Sequence, residues 1–132
     1  MKRQDIATRA DVSLLMRTFY SSIQKDTFIG PIFLKIIPTD AWEPHLEKLT
    51  DFWETNLFAA RNFKGNPMRA HKDVDTKWGH QISQKHFEAW LTLWSATVDA
   101  LFEGVKATEA KDRARNIATV LFFKMQETRP VK

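Results

Sequence analysis

A chain of 132 residues with 43% hydrophobic and 27% charged residues has the size and balance of a single domain around one core. It contains no cysteine, which excludes disulfides, zinc–thiolate centres and iron–sulfur clusters. The formal net charge is +4, but basic and acidic residues interleave, as in EAKDRAR at residues 109–115. That is the pattern of solvated helix faces, not of a nucleic-acid-binding stripe.

The N-terminal MKRQDIATRAD lacks the apolar stretch of a signal peptide, and no apolar run is long enough to span a bilayer. The expectation is a cytoplasmic protein with neither a membrane nor a nucleic acid as partner.

Helical periodicity dominates the chain. Thr8, with Asp11 three residues later, is a capping box. Val12, Leu15, Met16, Phe19, Tyr20 and Ile23 then form one apolar stripe at three- and four-residue spacing. Gly30–Pro31 and Pro38 punctuate the segment that follows. Asp40 and Glu43 mark a second start, and Leu46, Leu49, Phe52, Trp53 and Leu57 make the second stripe. Pro44 fits there if it lies in the first turn, where at most one helical bond is lost.

Residues 61–82 carry few periodic apolar side chains and are broken by Gly65, Asn66 and Pro67. Phe87, Trp90, Leu91, Trp94, Val98 and Leu101 form the third stripe. Gly104 separates it from a fourth, Ala114, Ile117, Ala118, Leu121, Phe122 and Met125. The expectation is an all-α fold, one domain over residues 1–132, with four main helices and a long loop before the third. A long loop that cannot bury itself can lie on something else, such as a large apolar cofactor.

Four residues could carry chemistry. The chain has ten phenylalanines and five tryptophans but one tyrosine, Tyr20, which makes the lone phenol distinctive. His71 follows the Gly–Asn–Pro break. His45 lies early on the second helix, with Leu49 and Phe52 on the same side. Trp90 sits on the third helix.

Taken singly, each has a plainer reading. A lone histidine is more often a surface or core residue than a ligand, a tryptophan on an apolar stripe is usually core, and Tyr20 could bond a backbone carbonyl. His80 and His86 flank the third helix and read as exposed. A zinc site from the four histidines is poorly supported, because no H-E-x-x-H motif or i,i+4 pair is present.

Together, FY (19–20), GPIF (30–33), WEPHLEKLTDFW (42–53), GNPMRAH (65–71) and FEAWLTLW (87–94) resemble the truncated haemoglobins, and more narrowly their third, bacterial group. The resemblance runs from about residue 8 to about residue 125 and implies a two-on-two helical sandwich around haem b, iron protoporphyrin IX. It implies His71 as the proximal iron ligand, Phe33 packed on the porphyrin, and Tyr20, His45 and Trp90 on the distal side, with Leu49 and Phe52 as an apolar wall. His45 could bond a ligand, ligate iron or act as a gate; Arg69, Lys48 or Lys72 could meet the haem propionates.

The implied ligands are dioxygen, nitric oxide, carbon monoxide or cyanide. Redox chemistry on nitric oxide or peroxide would need a separate reductase, since no nucleotide-binding fingerprint is present. A cofactor-free globin-like sensor or interaction module is the alternative.

Overall fold

The structure, a computed structural model, describes residues 3–58 and 83–127. Among them are helices α1 (Arg9–Lys25), α2 (Gly30–Ile36), α3 (Trp42–Phe58), α4 (Gln84–Leu101) and α5 (Val105–Glu127), with a 3₁₀ turn at Thr39–Ala41 leading into α3. Helix α1 packs on α2, α3 and α4, and α5 packs on α4 and α3. The four expected helices are present. The long loop expected at residues 61–82 lies outside the described residues, as does the side chain of Met125.

Local signals set where the helices begin. Thr8 Oγ1 accepts from the Asp11 backbone N–H at 3.2 Å, and the Asp11 carboxylate accepts from the Thr8 N–H at 3.0 Å, completing the capping box. Pro44 is the third residue of α3, where its missing N–H would have had no helical partner. Gly30 and Pro31 do more than end a segment: they open the short helix α2. A Cβ at Gly30 would stand 2.7 Å from the Ile23 carbonyl oxygen, so only glycine lets α2 start so close to the end of α1.

The start of α5 is capped from the far end of the chain. The Asp5 carboxylate accepts from the backbone N–H groups of Lys106 at 2.9 Å, Ala107 at 2.8 Å and Ile6 at 2.9 Å. Gly104 has φ 144°, and a Cβ there would lie 2.5 Å from the Asp5 side chain. The glycine is therefore required by backbone conformation and by the approach of the cap.

The core is centred on α1. Val12, Leu15, Met16, Phe19 and Ile23 are fully buried and pack with Trp53, Leu57, Trp94 and Val98. Helix α3 divides its apolar stripe between two edges. Thr50, Trp53 and Leu57 are buried, whereas Leu46, Leu49 and Phe52 remain half-buried. Thr50 is tolerated inside because its hydroxyl donates to the Leu46 carbonyl at 2.8 Å.

Outside the core, α1 is tied to α3 by charge. The Arg9 guanidinium meets Asp51 at 2.7 Å, Glu54 at 2.9 Å and Glu47 at 3.1 Å. One turn of pairs further on, Arg17 grips Glu43 with both terminal nitrogens, at 2.7 and 3.0 Å.

The Asp5 cap makes a testable contribution. Burial pushes its carboxyl up, but the three backbone donors outweigh that and hold it below the ordinary 3.8. Its stabilisation is therefore present above pH 3.8 and is lost as pH falls through the lower folded value. Asp5→Ala should cost about 1–2 kcal/mol at neutral pH. Urea denaturation at stepped pH should find the gap from wild type constant near neutrality and closing in acid. A gap unchanged in acid would mean that Asp5 acts through packing alone.

Candidate functional site

Tyr20 is the point at which four helices meet. It projects from α1 and is 6% exposed. Its ring lies 4.9 Å from Phe19, 5.9 Å from Phe33 of α2, and 6.0 and 5.7 Å from Trp42 and His45 of α3. From α4, the Trp90 side chain approaches the Tyr20 hydroxyl, and both rings pack edge-on against Phe19. The indole N–H can only donate, whereas the phenol can both donate and accept.

The structure thus brings together Tyr20, Phe33, His45 and Trp90, which lie up to 70 residues apart in sequence. His45 stands edge-on to both Tyr20 and Trp42, and its Nε2 is buried. Leu49 and Phe52 continue the same face of α3, one and two turns beyond His45. Phe33, Leu49, Phe52 and Trp90 are half-buried hydrophobic residues packed against the core. The result is a buried polar cluster bordered by apolar side chains that the core itself does not fully cover. His71 lies outside the described residues, as do Arg69, Lys72 and His80; Lys48 is exposed on α3.

Two residues behave differently from their sequence reading. His86 is not exposed. It stacks on Phe28 with ring centroids 4.5 Å apart, and its Nδ1 accepts from the Ser83 N–H at 2.9 Å at the start of α4. Burial lowers its pKa, which suits a ring that must stay unprotonated at Nδ1 to accept. Trp42, not singled out from the sequence, touches both Tyr20 and His45. Its position three residues before His45 on a helix was the available signal. Among the described residues no group of three or more histidine, aspartate or glutamate side chains could hold a metal ion, so the poorly supported zinc reading gains nothing.

The end of α3, where the chain enters the segment containing His71, is held by two cations from α5. Lys106 Nζ donates to the Leu57 carbonyl at 2.7 Å, and Arg113 donates to the Asn56 carbonyl. Capping by positive groups suits a helix C-terminus. An open cleft of about 740 Å³ lies between these residues and Phe58, at the far end of α3 from His45. It contains none of the candidate residues.

The described helices form a truncated globin fold of the two-on-two kind. The structure superposes on the crystal structure of the group III truncated haemoglobin from Campylobacter jejuni with a TM-score of 0.83, at 26% identity, over 99% of this chain and 100% of that one. It also matches the 2/2 haemoglobin from Synechococcus sp. PCC 7002 in its cyanomet state with covalently attached haem, with a TM-score of 0.70 at 20% identity, over 90% and 92% of the two chains. That second likeness concerns the fold alone.

In sequence, the chain is similar to the group 3 truncated haemoglobin ctb of Campylobacter jejuni, 29% identical over 110 residues that cover 82% of this chain and 83% of its relative. The resemblance to the third group, read from short motifs, is thus matched both in sequence and in fold. No protein-family model matches the chain. Among the described residues no helix is long and apolar enough to cross a membrane.

Because the chain has a single tyrosine, its ionisation can be followed directly. Burial pushes the Tyr20 phenol well above the ordinary 10.0, with the nearby Trp90 indole opposing only in part. Phenolate absorbance should therefore stay low as pH passes 10.0 and rise only when the protein unfolds. The stabilisation from neutral Tyr20 is whole below the unfolded value and is lost as pH rises beyond it. A folded protein titrating like a urea-unfolded one would show that Tyr20 is open to water.

Proposed function

We propose that this protein is a haem-binding truncated haemoglobin that uses Tyr20, His45 and Trp90 on small ligands at iron, in redox chemistry rather than transport. The observation that carries the reading is the donor set. A buried phenol, an indole and an imidazole converge on one site, beside the half-buried Phe33, Leu49 and Phe52. Apolar walls suit a porphyrin plane, and neutral hydrogen-bond donors suit a diatomic ligand that becomes partly negative. The residues present therefore fit the group. His71, just past the Gly65–Pro67 break, would hold the iron through a neutral imidazole nitrogen.

When bound, ferrous haem supplies an open coordination position and electron density for a small ligand. The chain's own residues do the rest. Phe33, Leu49 and Phe52 exclude water. The Tyr20 hydroxyl and the Trp90 indole N–H are both donors that can be presented to the negative end of the ligand. In a dry pocket such a preset donor acts without reorganisation. His45, edge-on to Tyr20, is placed to bond the ligand or to control its access.

A site that holds dioxygen through preset donors releases it slowly, which suits reaction of the bound ligand with nitric oxide, or peroxide cleavage, better than carriage. Repeated turnover then requires a separate reductase.

Purified protein should show an intense haem absorption band with near-stoichiometric iron. His71→Ala should lose most of that haem, or acquire an altered spectrum that added imidazole restores. Unchanged haem content and ferrous spectrum would remove His71 as the ligand. Protein that takes up no haem at all would instead be a cofactor-free helical module.

Tyr20→Phe keeps the ring and removes the donor. A bond of this kind is worth roughly 1.5–3 kcal/mol, so the dioxygen dissociation rate in stopped flow should rise by about one to two decades. An unchanged rate would reduce Tyr20 to packing. Nitric oxide added to the reduced protein under dioxygen should yield nitrate rapidly. A slow reaction together with fast dioxygen release would favour transport.

A further inference from the structure

Among the described residues, four tryptophans and the single tyrosine lie in one run of neighbouring aromatic rings. Trp42 lies 6.0 Å from Tyr20, ring to ring. Phe19 meets both Tyr20 and Trp90 edge-on, at 4.9 and 5.3 Å, and the Trp90 side chain approaches the Tyr20 hydroxyl. Trp90 and Trp94 lie parallel, 5.6 Å apart at 3°, and Trp94 stacks on Trp53 at 4.6 Å. Indole and phenol are the side chains most easily oxidised by one electron in a chain without thiols.

Burial differs along the run. Trp94, Trp53 and Tyr20 are 0%, 3% and 6% exposed, whereas Trp42 and Trp90 are half-buried. Trp90 and Tyr20 belong to the candidate pocket, and Trp42 stands at one end of the run. A packing role alone would be met by phenylalanine, of which the chain has ten.

We infer that this run is a path by which an oxidising equivalent leaves the pocket and reaches Trp42. The oxidant is a hydroperoxide acting at the haem of the proposed function, on which that part of the inference rests. Reduction of the hydroperoxide to an alcohol and water breaks the O–O bond and takes two electrons and two protons. Where the bound group would give up both electrons, the run would return one and a second equivalent of the one-electron reductant the other. An electron leaves Trp42 and passes through Tyr20 and Trp90 to the pocket. The Trp42 indole N–H proton goes to water, leaving a neutral indolyl radical. A one-electron reductant such as ascorbate then returns an electron and a proton and regenerates Trp42. Tyr20, buried at 6% exposure, passes the charge on, and half-buried Trp42 is the site that can lose its proton to water. The stacked Trp94 and Trp53 form a side branch over which the positive charge can spread.

Pulse radiolysis tests the path without haem. Azide radicals oxidise indoles, and the Trp78→Phe background removes the one tryptophan that is not among the described residues. In that background the indolyl radical should not convert to a phenoxyl radical at Tyr20. Adding Trp42→Tyr gives the arriving charge a spectrally distinct resting place. A slow phenoxyl phase should then appear, first order and independent of protein concentration. Its absence would overturn the path, and so would a slow phenoxyl phase in Trp78→Phe alone, which would mean that the charge stops at Tyr20.

With haem-loaded protein and hydrogen peroxide, peptide mapping should find oxidation concentrated at Trp42 and suppressed by ascorbate. In Trp42→Phe the oxidation should shift to Trp90 and Trp94, and haem should bleach faster. Oxidation spread evenly over the tryptophans, with unchanged bleaching, would overturn the inference. A chain that takes up no haem would sink the haem reading while leaving the radiolysis result to decide the path.

Discussion

The edge-on packing of Tyr20, Trp90 and Trp94 around Phe19 governs the arrangement of the pocket. Phe19 is fully buried and meets the three rings at 4.9, 5.3 and 5.0 Å. Rings packed in this way join α4 to α1 in the interior. Trp94 is fixed in turn because its own N–H donates to the Ala110 carbonyl of α5 at 3.1 Å. With Phe33 from α2 and His45 from α3 against the same phenol, the position of one side chain depends on four helices together.

The outer surface supports that arrangement by a different force. Arg9 and Arg17 face four carboxylates along α3, and each contact is partly open to solvent. Exposed pairs of this kind contribute little singly, but a network centred on one guanidinium restricts how α3 can slide along α1. That register carries His45 and the half-buried edge of α3 past Tyr20. The buried edge of the same helix, through Trp53 and Leu57, joins the core. Helix α3 therefore serves stability on one edge and the candidate site on the other.

A fold shared with truncated haemoglobins does not assign a reaction, because function resides in the site that the fold presents. Here the site is chemically uneven. Its phenol and indole are neutral donors, Tyr20 is buried, and its borders are apolar. Such a place favours charge that develops on a small ligand over charge that arrives on a substrate.

Much of the fold was legible in local sequence because helix signals act over three or four residues. The Thr8–Asp11 box, Pro44 in a first turn, Gly104 as a break and the apolar stripes all appear in the structure, because each is decided by neighbours on the same helix. The residue types gathered around Tyr20 were also legible, through motifs whose order resembles a known group. What the sequence by itself could not determine was which groups pair across the chain. Asp5 capping α5, Arg9 choosing among three carboxylates, Trp42 meeting Tyr20 and His86 stacking on Phe28 all join segments on different elements. Those choices follow from the direction in which packed helices point their side chains. Only the tertiary structure decided that Tyr20 and Trp90 would meet around Phe19, because the packing of α1 on α4 sets which rings share that space.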